Sequence, residues 1–278
     1  MVPLYAIWNV TAAALGACLG SFLSVCVLRI PEGESIVSPP SHCPICEARV
    51  AWYDNVPLLS WLALRGRCRS CGAPISPLYP MLEGTMTLVG WLVWRRFVPT
   101  PHDLDAAHLS AFFTYLLFAW ALLCATYTDL RARIVPEIAS QWMVPIILVG
   151  TGITDLLGYD GWLSIGWRAS VIGAFGGGGF VFLLAELWAR VFGHEGLGRG
   201  DVWLMALIGA AVGLVPGAWA VLLLASFLGA ILGVLATLVR GPGGFAFAPW
   251  LSIAALLYML WGDTLVARFL PTLAPFVH

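Results

Sequence analysis

Two sets of side chains in this chain have the types and spacing to do chemistry: four cysteines and a few carboxylates. The cysteines are Cys43-Pro44-Ile45-Cys46 and Cys68-Arg69-Ser70-Cys71, two CxxC knuckles with 21 residues between them. Each knuckle can present two thiolates to one ion, and tetrahedral zinc takes four. Four protein ligands would close the site, which makes it structural rather than hydrolytic. Two disulfides or a redox pair are the other chemistry open to the same residues, although lasting disulfides do not suit a cytoplasmic loop. Cys18, Cys26 and Cys124 lie in apolar runs and read as small apolar residues.

The acids in or beside long apolar stretches are Glu83, Asp129, Glu137, Asp155, Glu186 and Asp201. An ionisable group at membrane depth is costly and marks a functional site by default. Two carboxylates held together in a low-dielectric site cannot both ionise easily. One then keeps its proton while the other acts as a base on water. Asp129 and Asp201 are the candidates for such a pair. Asp201 closes the string Gly198-Arg199-Gly200-Asp201, whose glycines would let an extended peptide backbone approach. An Asp at a helix boundary is also a cap, and Asp201 could simply cap the helix it begins. Asp155 reads as a solvated helix end. Glu186 reads as a snorkelling acid or a partner of Arg190.

Competing chemistry is thin. There is no HExxH and no GxSxG. The chain has 14 basic residues, all of them Arg, so Schiff-base chemistry, a P-loop lysine and a Ser/Lys dyad are excluded. His194-Glu195 precedes the GxGD string and reads as a solvated loop. A net charge of −1 offers no broad basic face for nucleic acid.

These groups must be positioned by membrane helices. Of the 278 residues 60% are hydrophobic and 10% charged, with a mean hydropathy of +0.89, whereas soluble domains carry about 25% charged residues. The expected fold is an all-α polytopic membrane protein. About 20 apolar residues span a bilayer core. Spans are expected at 4–28, 78–97, 106–128, 135–157, 168–190 and 246–268. Residues 202–239 carry no charge over 38 positions, too long for one pass, and Val215-Pro216-Gly217 should break them into a helical hairpin. The total is eight spans. Gly16/Gly20, Gly173/Gly177, Gly209/Gly213 and Gly229/Gly233 are GxxxG pairs suited to close helix packing. Alternating the loops places Arg29, Arg49, Arg65, Arg67, Arg69, Arg131, Arg133, Arg190, Arg199 and Arg240 on one side. Only Arg95, Arg96, Arg168 and Arg268 fall on the other. That bias makes the first side cytoplasmic and puts Asp129 and Asp201 at the same boundary. The Arg95-Arg96 pair runs against it.

Several segments together resemble the bacterial prepilin peptidases, the leader peptidase/N-methyltransferases of type IV pilus and type II secretion systems. Gly20-Ser21-Phe22-Leu23-Ser24-Val25 through Arg29-Ile30-Pro31 is similar to the family's first-span signature, with Ser24 where Asn is usual. Pro57-Leu58-Leu59-Ser60-Trp61-Leu62, Arg65-Gly66-Arg67-Cys68, Pro74-Ile75-Ser76 and Tyr79-Pro80 resemble its zinc domain, and Glu83 matches a usual acid. Asp129-Leu130 with Ile134 and Pro136 resembles the first catalytic Asp motif, with Glu137 where Asp is usual. Gly198 to Asp201 match the second. Trp203 stands where Lys is common, which puts in doubt any role that Lys has in tuning the Asp pair or in methyl transfer.

The resemblance implies an aspartic peptidase of the bacterial inner membrane with Asp129 and Asp201 as its acids. It implies a zinc domain bound through Cys43, Cys46, Cys68 and Cys71, and prepilin or pseudopilin substrates. Cleavage would follow the terminal Gly of a short basic leader at the cytoplasmic face. S-adenosylmethionine would then methylate the new N-terminus. Glu83, Glu137, Gly198 and Gly200 are the expected substrate-contacting or supporting residues. The expected organisation is a first transmembrane helix over 1–30, a cytoplasmic tetra-Cys domain over 31–77 and a membrane peptidase core over 78–278. A transporter with buried acids, a zinc-knuckle adaptor, or a GxGD protease of other specificity are the rival readings.

Overall fold

The computed structural model describes the backbone of residues 2–194, 198–240 and 246–269. Glu195 and the surroundings of Gly233 and Arg240 lie outside the described residues. The helices are α1 (Val2–Arg29), α2 (Leu59–Ala63), α3 (Leu78–Phe97), α4 (Ala106–Ala132), α5 (Met143–Leu156), α6 (Trp167–Phe192), α7 (Arg199–Val212), α8 (Trp219–Arg240) and α9 (Ala248–Phe269). Among the described residues the strand-like pairing is confined to two isolated bridges, His42 with Arg49 and Arg67 with Pro74. Helix is the form these runs must take, because in lipid a backbone polar group can be satisfied only inside its own segment.

Among the described residues, five segments are long and apolar enough to cross a membrane: Leu4–Arg29, Ala106–Ala132, Trp167–Phe192, Arg199–Leu232 and Ala248–Arg268. Helix α3 carries Glu83, Arg95 and Arg96 and does not join them. The span expected over 135–157 is cut back at its start. A single 3-10 turn covers Glu137–Ala139, and α5 begins only at Met143. Pro145 explains this, since proline is tolerated in a helix's first turn and disrupts its interior. At 14 residues, α5 is about 21 Å long, short of the ~30 Å hydrocarbon core.

The break in the long apolar run falls where expected. Val215 is non-helical, with φ −123° and ψ 128°. Gly213 has φ +73°, which only glycine adopts without strain. The two halves diverge, however: α7 packs chiefly on α6, and α8 packs on α9.

Two compact units divide the chain, residues 1–95 and 96–278. In the first, α1 lies against α3. Gly16 faces the Met86 carbonyl, Gly20 faces the Glu83 Cα, and Trp8 stacks on Trp94 at 5.9 Å between ring centroids. In the second, α4 is central and packs on α5, α7 and α9. Its Tyr115 is buried with its hydroxyl 2.8 Å from the Ala211 carbonyl and 3.1 Å from the Leu163 carbonyl, so the single phenol proton has an acceptor. Arg96, one of the two arginines that opposed the charge bias, pairs with Asp263 at 2.6 Å and lies 5.1 Å from the Trp162 ring. Asp155 accepts the Trp167 N–H at 3.1 Å and thus caps the start of α6. Glu186 pairs with Arg190 at 2.8 Å.

The tightest seam is α6 on α7. A Cβ on Gly173 would strike the Gly209 carbonyl, and one on Gly209 would strike the Gly173 carbonyl. Gly178 packs in the same way on Ala206. Gly179 faces open space. The seam therefore predicts a sharp contrast in detergent unfolding experiments. Gly209→Ala should lower stability by at least the ~1–3 kcal/mol of overpacking, while Gly179→Ala should leave the unfolding midpoint unchanged or raise it.

Candidate active site and cysteine centre

The cysteine centre is built from two copies of one local fold. In the first knuckle the Cys43 N–H donates to the Ala48 carbonyl at 2.9 Å and the Glu47 N–H to the Cys43 carbonyl at 2.9 Å. In the second, the Cys68 N–H donates to Ala73 at 2.8 Å and the Gly72 N–H to Cys68 at 2.9 Å. Every element recurs 25 positions on (43 to 68, 46 to 71, 47 to 72). Glu47 and Gly72 hold the same left-handed conformation, φ 58° and 72°. The turn thus asks for a glycine that only the second knuckle supplies, which is why the repeat is faint in the sequence.

This geometry aims backbone N–H groups at sulfur. The Cys46 and Ile45 N–H groups draw the Cys43 thiol down to about 6. The Cys71 and Ser70 N–H groups lower Cys68 in the same manner. All four sulfurs lie within 4.8 Å of one another, and Cys43 Sγ is 3.9 Å from Cys71 Sγ. Thiolates around one tetrahedral zinc, with bonds near 2.3 Å, would sit about 3.8 Å apart. The cysteines are free thiols, so the disulfide alternative is not what the fold adopts. The donor set and its dimensions fit a structural zinc ion. Arg69 braces the second knuckle by gripping both Asp54 carboxylate oxygens, at 2.7 and 2.6 Å, and holds that carboxyl below its usual range.

Glu83 belongs to the same unit and turns out to be a structural anchor. It is 8% exposed, and its Oε2 accepts the Leu58 N–H at 2.7 Å. The Ser21 hydroxyl is a further partner. Leu58 sits at φ 62°, a costly conformation for a non-glycine residue, just before α2. The carboxylate on α3 therefore holds down a strained turn of the cysteine module. Ser24 is buried and donates to the Ser21 carbonyl at 2.7 Å.

The second unit brings Asp129 and Asp201 together. Asp129 lies in the last turn of α4, is 7% exposed, and accepts a hydrogen bond from the Ala248 N–H, the first residue of α9. The positive end of the α9 dipole thus faces a carboxylate. Asp201 occupies the third position of α7 and accepts from the Gly198 N–H, the residue that caps that helix. Asp201 is not the N-cap of α7, which is Gly198; its carboxylate reaches back to that residue from the first turn of the helix. The charge of Asp129 also acts on Asp201. Two carboxylates so placed can divide the labour of acid and base toward one water.

Gly200 does something other than expected. A Cβ there would lie 2.7 Å from the Cβ of Val135, so its space is filled by the segment that follows α4. It lets the first turn of α7 close on the Asp129 motif rather than leaving room for a peptide. Gly198 is exposed and lies near the Asp201 carboxylate. Glu137 is exposed on its 3-10 turn, and Trp203 is 42% exposed. Arg133, at the left-handed end of α4, acts electrostatically on Asp129. The part played by Ala248 was not legible in the sequence, because a backbone N–H carries no residue signature.

With this geometry in place, comparison with known proteins is informative. Residues 14–97 match the bacterial peptidase A24 N-terminal domain and residues 116–234 match the type IV leader peptidase family. The prepilin leader peptidase/N-methyltransferase of Myxococcus xanthus is 38% identical over 246 residues, covering 87% of this chain and 66% of that protein. The protein of the same name from Aeromonas hydrophila is 34% identical, covering 91% of this chain and 90% of its own length. A third, from Pseudomonas aeruginosa, is 31% identical over 294 residues. No solved structure matches.

Metal analysis of purified protein should find about one zinc per chain, lost in Cys43→Ser. Unchanged zinc in that variant would defeat the tetrathiolate site. Glu83→Ala should strand the Leu58 N–H and cost about 1–3 kcal/mol in an unfolding measurement. Glu83→Gln, which keeps an acceptor, should cost less.

Proposed function

The chain belongs to the type IV leader peptidase family, and from that premise we propose that it is a prepilin peptidase working through Asp129 and Asp201. The observation that carries this reading is the placement of the two acids, one in the last turn of α4 and one in the first turn of α7, where the charge of one acts on the other. The names of the relatives support a prepilin substrate and a protease activity.

In the proposed reaction the two carboxylates share one proton and act as a unit. The ionised member removes a proton from water, whose oxygen attacks the carbonyl carbon of the leader's terminal Gly. The protonated member donates to the carbonyl oxygen. As the tetrahedral intermediate collapses, the C–N bond breaks, the leaving amine takes up the proton gained from water, and the hydroxyl formed from the carbonyl oxygen returns its proton to the carboxylate that donated it. The Ala248 N–H fixes one oxygen of Asp129, and the Gly198 N–H fixes one of Asp201. Both carboxylates are thereby oriented before substrate arrives.

The excess of Arg on the loops that carry the cysteine module, Arg131, Arg133 and Arg199 supports a cytoplasmic site in the bacterial inner membrane. We retain eight membrane-embedded helices, with α5 entering only part of the bilayer. Zinc would hold the two knuckles together and take no part in hydrolysis. The relatives' double name supports N-methylation of the new amine by S-adenosylmethionine, whose sulfonium would supply the methyl group. The pocket at the end of α1, lined by two arginines and no acid, does not suit that net cation, so the donor is assigned no residues.

The test is cleavage of a prepilin by purified protein in detergent or liposomes. Asp129→Asn and Asp201→Asn should each lower kcat/KM by at least about 1,000-fold, as loss of a reacting acid or base does, while zinc content stays near wild type. Near-wild-type cleavage by either folded variant would refute the proposal. Labelled methyl donor in the same assay reads the second activity separately.

A further inference from the structure

The end of α1 and the strap leading into the first knuckle enclose a pocket of about 600 Å³, within the range of small-ligand sites. Val25 and Arg29 line it from the last turns of α1, and Val37, Arg49 and Trp52 line it from the module. All belong to the unit over residues 1–95. The lining holds two arginines and no acid; Glu32 and Glu34 of the strap are not part of it.

The two arginines are differently placed to receive an anion. Arg29 is fixed by its Nη1, which donates to the carbonyls of Ser35 at 3.0 Å and Pro39 at 2.8 Å. A guanidinium has five N–H donors, so most of the fork remains available. The side chain of Arg49 makes no hydrogen bond or ion pair among the described residues. Beside this cationic pair stand two apolar side chains in solvent, Val37 at 86% and Trp52 at 83% exposure. Arg29 also ends the membrane-length segment Leu4–Arg29. The pocket therefore opens at headgroup level, where Arg and Trp concentrate at a membrane surface.

We propose that this pocket binds the phosphate of an anionic phospholipid, with Arg29 and Arg49 on the phosphate and Val37 and Trp52 against the glycerol and upper acyl chain. The charge and the apolar wall point to the same ligand. A soluble phosphate would satisfy the arginines but leave Val37 and Trp52 uncovered. S-adenosylmethionine, with a sulfonium and an ammonium against one carboxylate, would meet two like charges. Anchoring a headgroup here would seat the cysteine module against the bilayer surface.

The full-length protein in phosphatidylcholine nanodiscs, with and without phosphatidylglycerol, provides the test. Native mass spectrometry counts the phosphatidylglycerol that stays bound on release. Wild type should retain it in preference to phosphatidylcholine. Arg49→Gln, which anchors no backbone, should lower its occupancy about fivefold, the worth of roughly 1 kcal/mol per basic residue at a membrane surface. Trp52→Ala should lower it as well. Zinc content and unfolding midpoint, measured alongside, certify that both variants are folded. Equal occupancy in wild type and Arg49→Gln would overturn the proposal. So would displacement of the lipid by inorganic phosphate or by S-adenosylmethionine at equal concentration.

Discussion

The proposed chemistry turns on one constraint: two carboxylates 72 positions apart in the chain (129 to 201) must be brought to one site by the end of α4 and the start of α7. Lipid gives helices no hydrophobic reason to associate, so close approach has to come from shape. The α6–α7 seam supplies it. Gly173 and Gly209 bring two backbones into contact, and Gly178 on Ala206 extends the fit. Gly200 then seats the first turn of α7 on Val135, six residues past Asp129. At three places these glycines leave no side chain to hold the α7 backbone away from its neighbours.

The acids are also held from the backbone side. Asp129 takes the first N–H of α9, and Asp201 takes the N–H of the residue that caps α7. Each helix start would otherwise leave N–H groups without partners. The same carboxylates therefore settle helix ends and form the proposed reacting pair. Asp201 thus serves the start of α7 from the first turn rather than as the N-cap, and that service is compatible with its proposed catalytic role. In the other unit the economy is similar. Glu83, matched to a usual family acid, holds the strained Leu58 turn rather than facing open solvent.

Much of this was legible in the sequence, for identifiable reasons. A hydrophobic run announces a membrane helix, and the break at Val215-Pro216-Gly217 announces itself through proline chemistry. Two CxxC knuckles announce a four-sulfur cluster. Three features did not announce themselves. The start of α5 was hidden because Glu137, Ser140 and Gln141 are too few to end a mostly apolar run over 135–157, and only the position of Pro145 marks where helix can begin. The divergence of α7 and α8 depends on which neighbour offers the better glycine seam, a property of two distant segments at once. The packing of Gly200 on Val135 was hidden because Val135 belongs to the distant segment that follows α4. The kinship of the two knuckles was masked by Glu47 standing in a glycine conformation.

Whether Asp129 and Asp201 work as one unit is measured most directly by a double-mutant cycle on prepilin cleavage. Groups that act in a single proton-sharing step are non-additive. The account predicts that Asp129→Asn/Asp201→Asn has a kcat/KM no lower than that of the worse single variant. Losses that multiply, so that the double variant falls by the product of the two single effects, would show independent roles and contradict it.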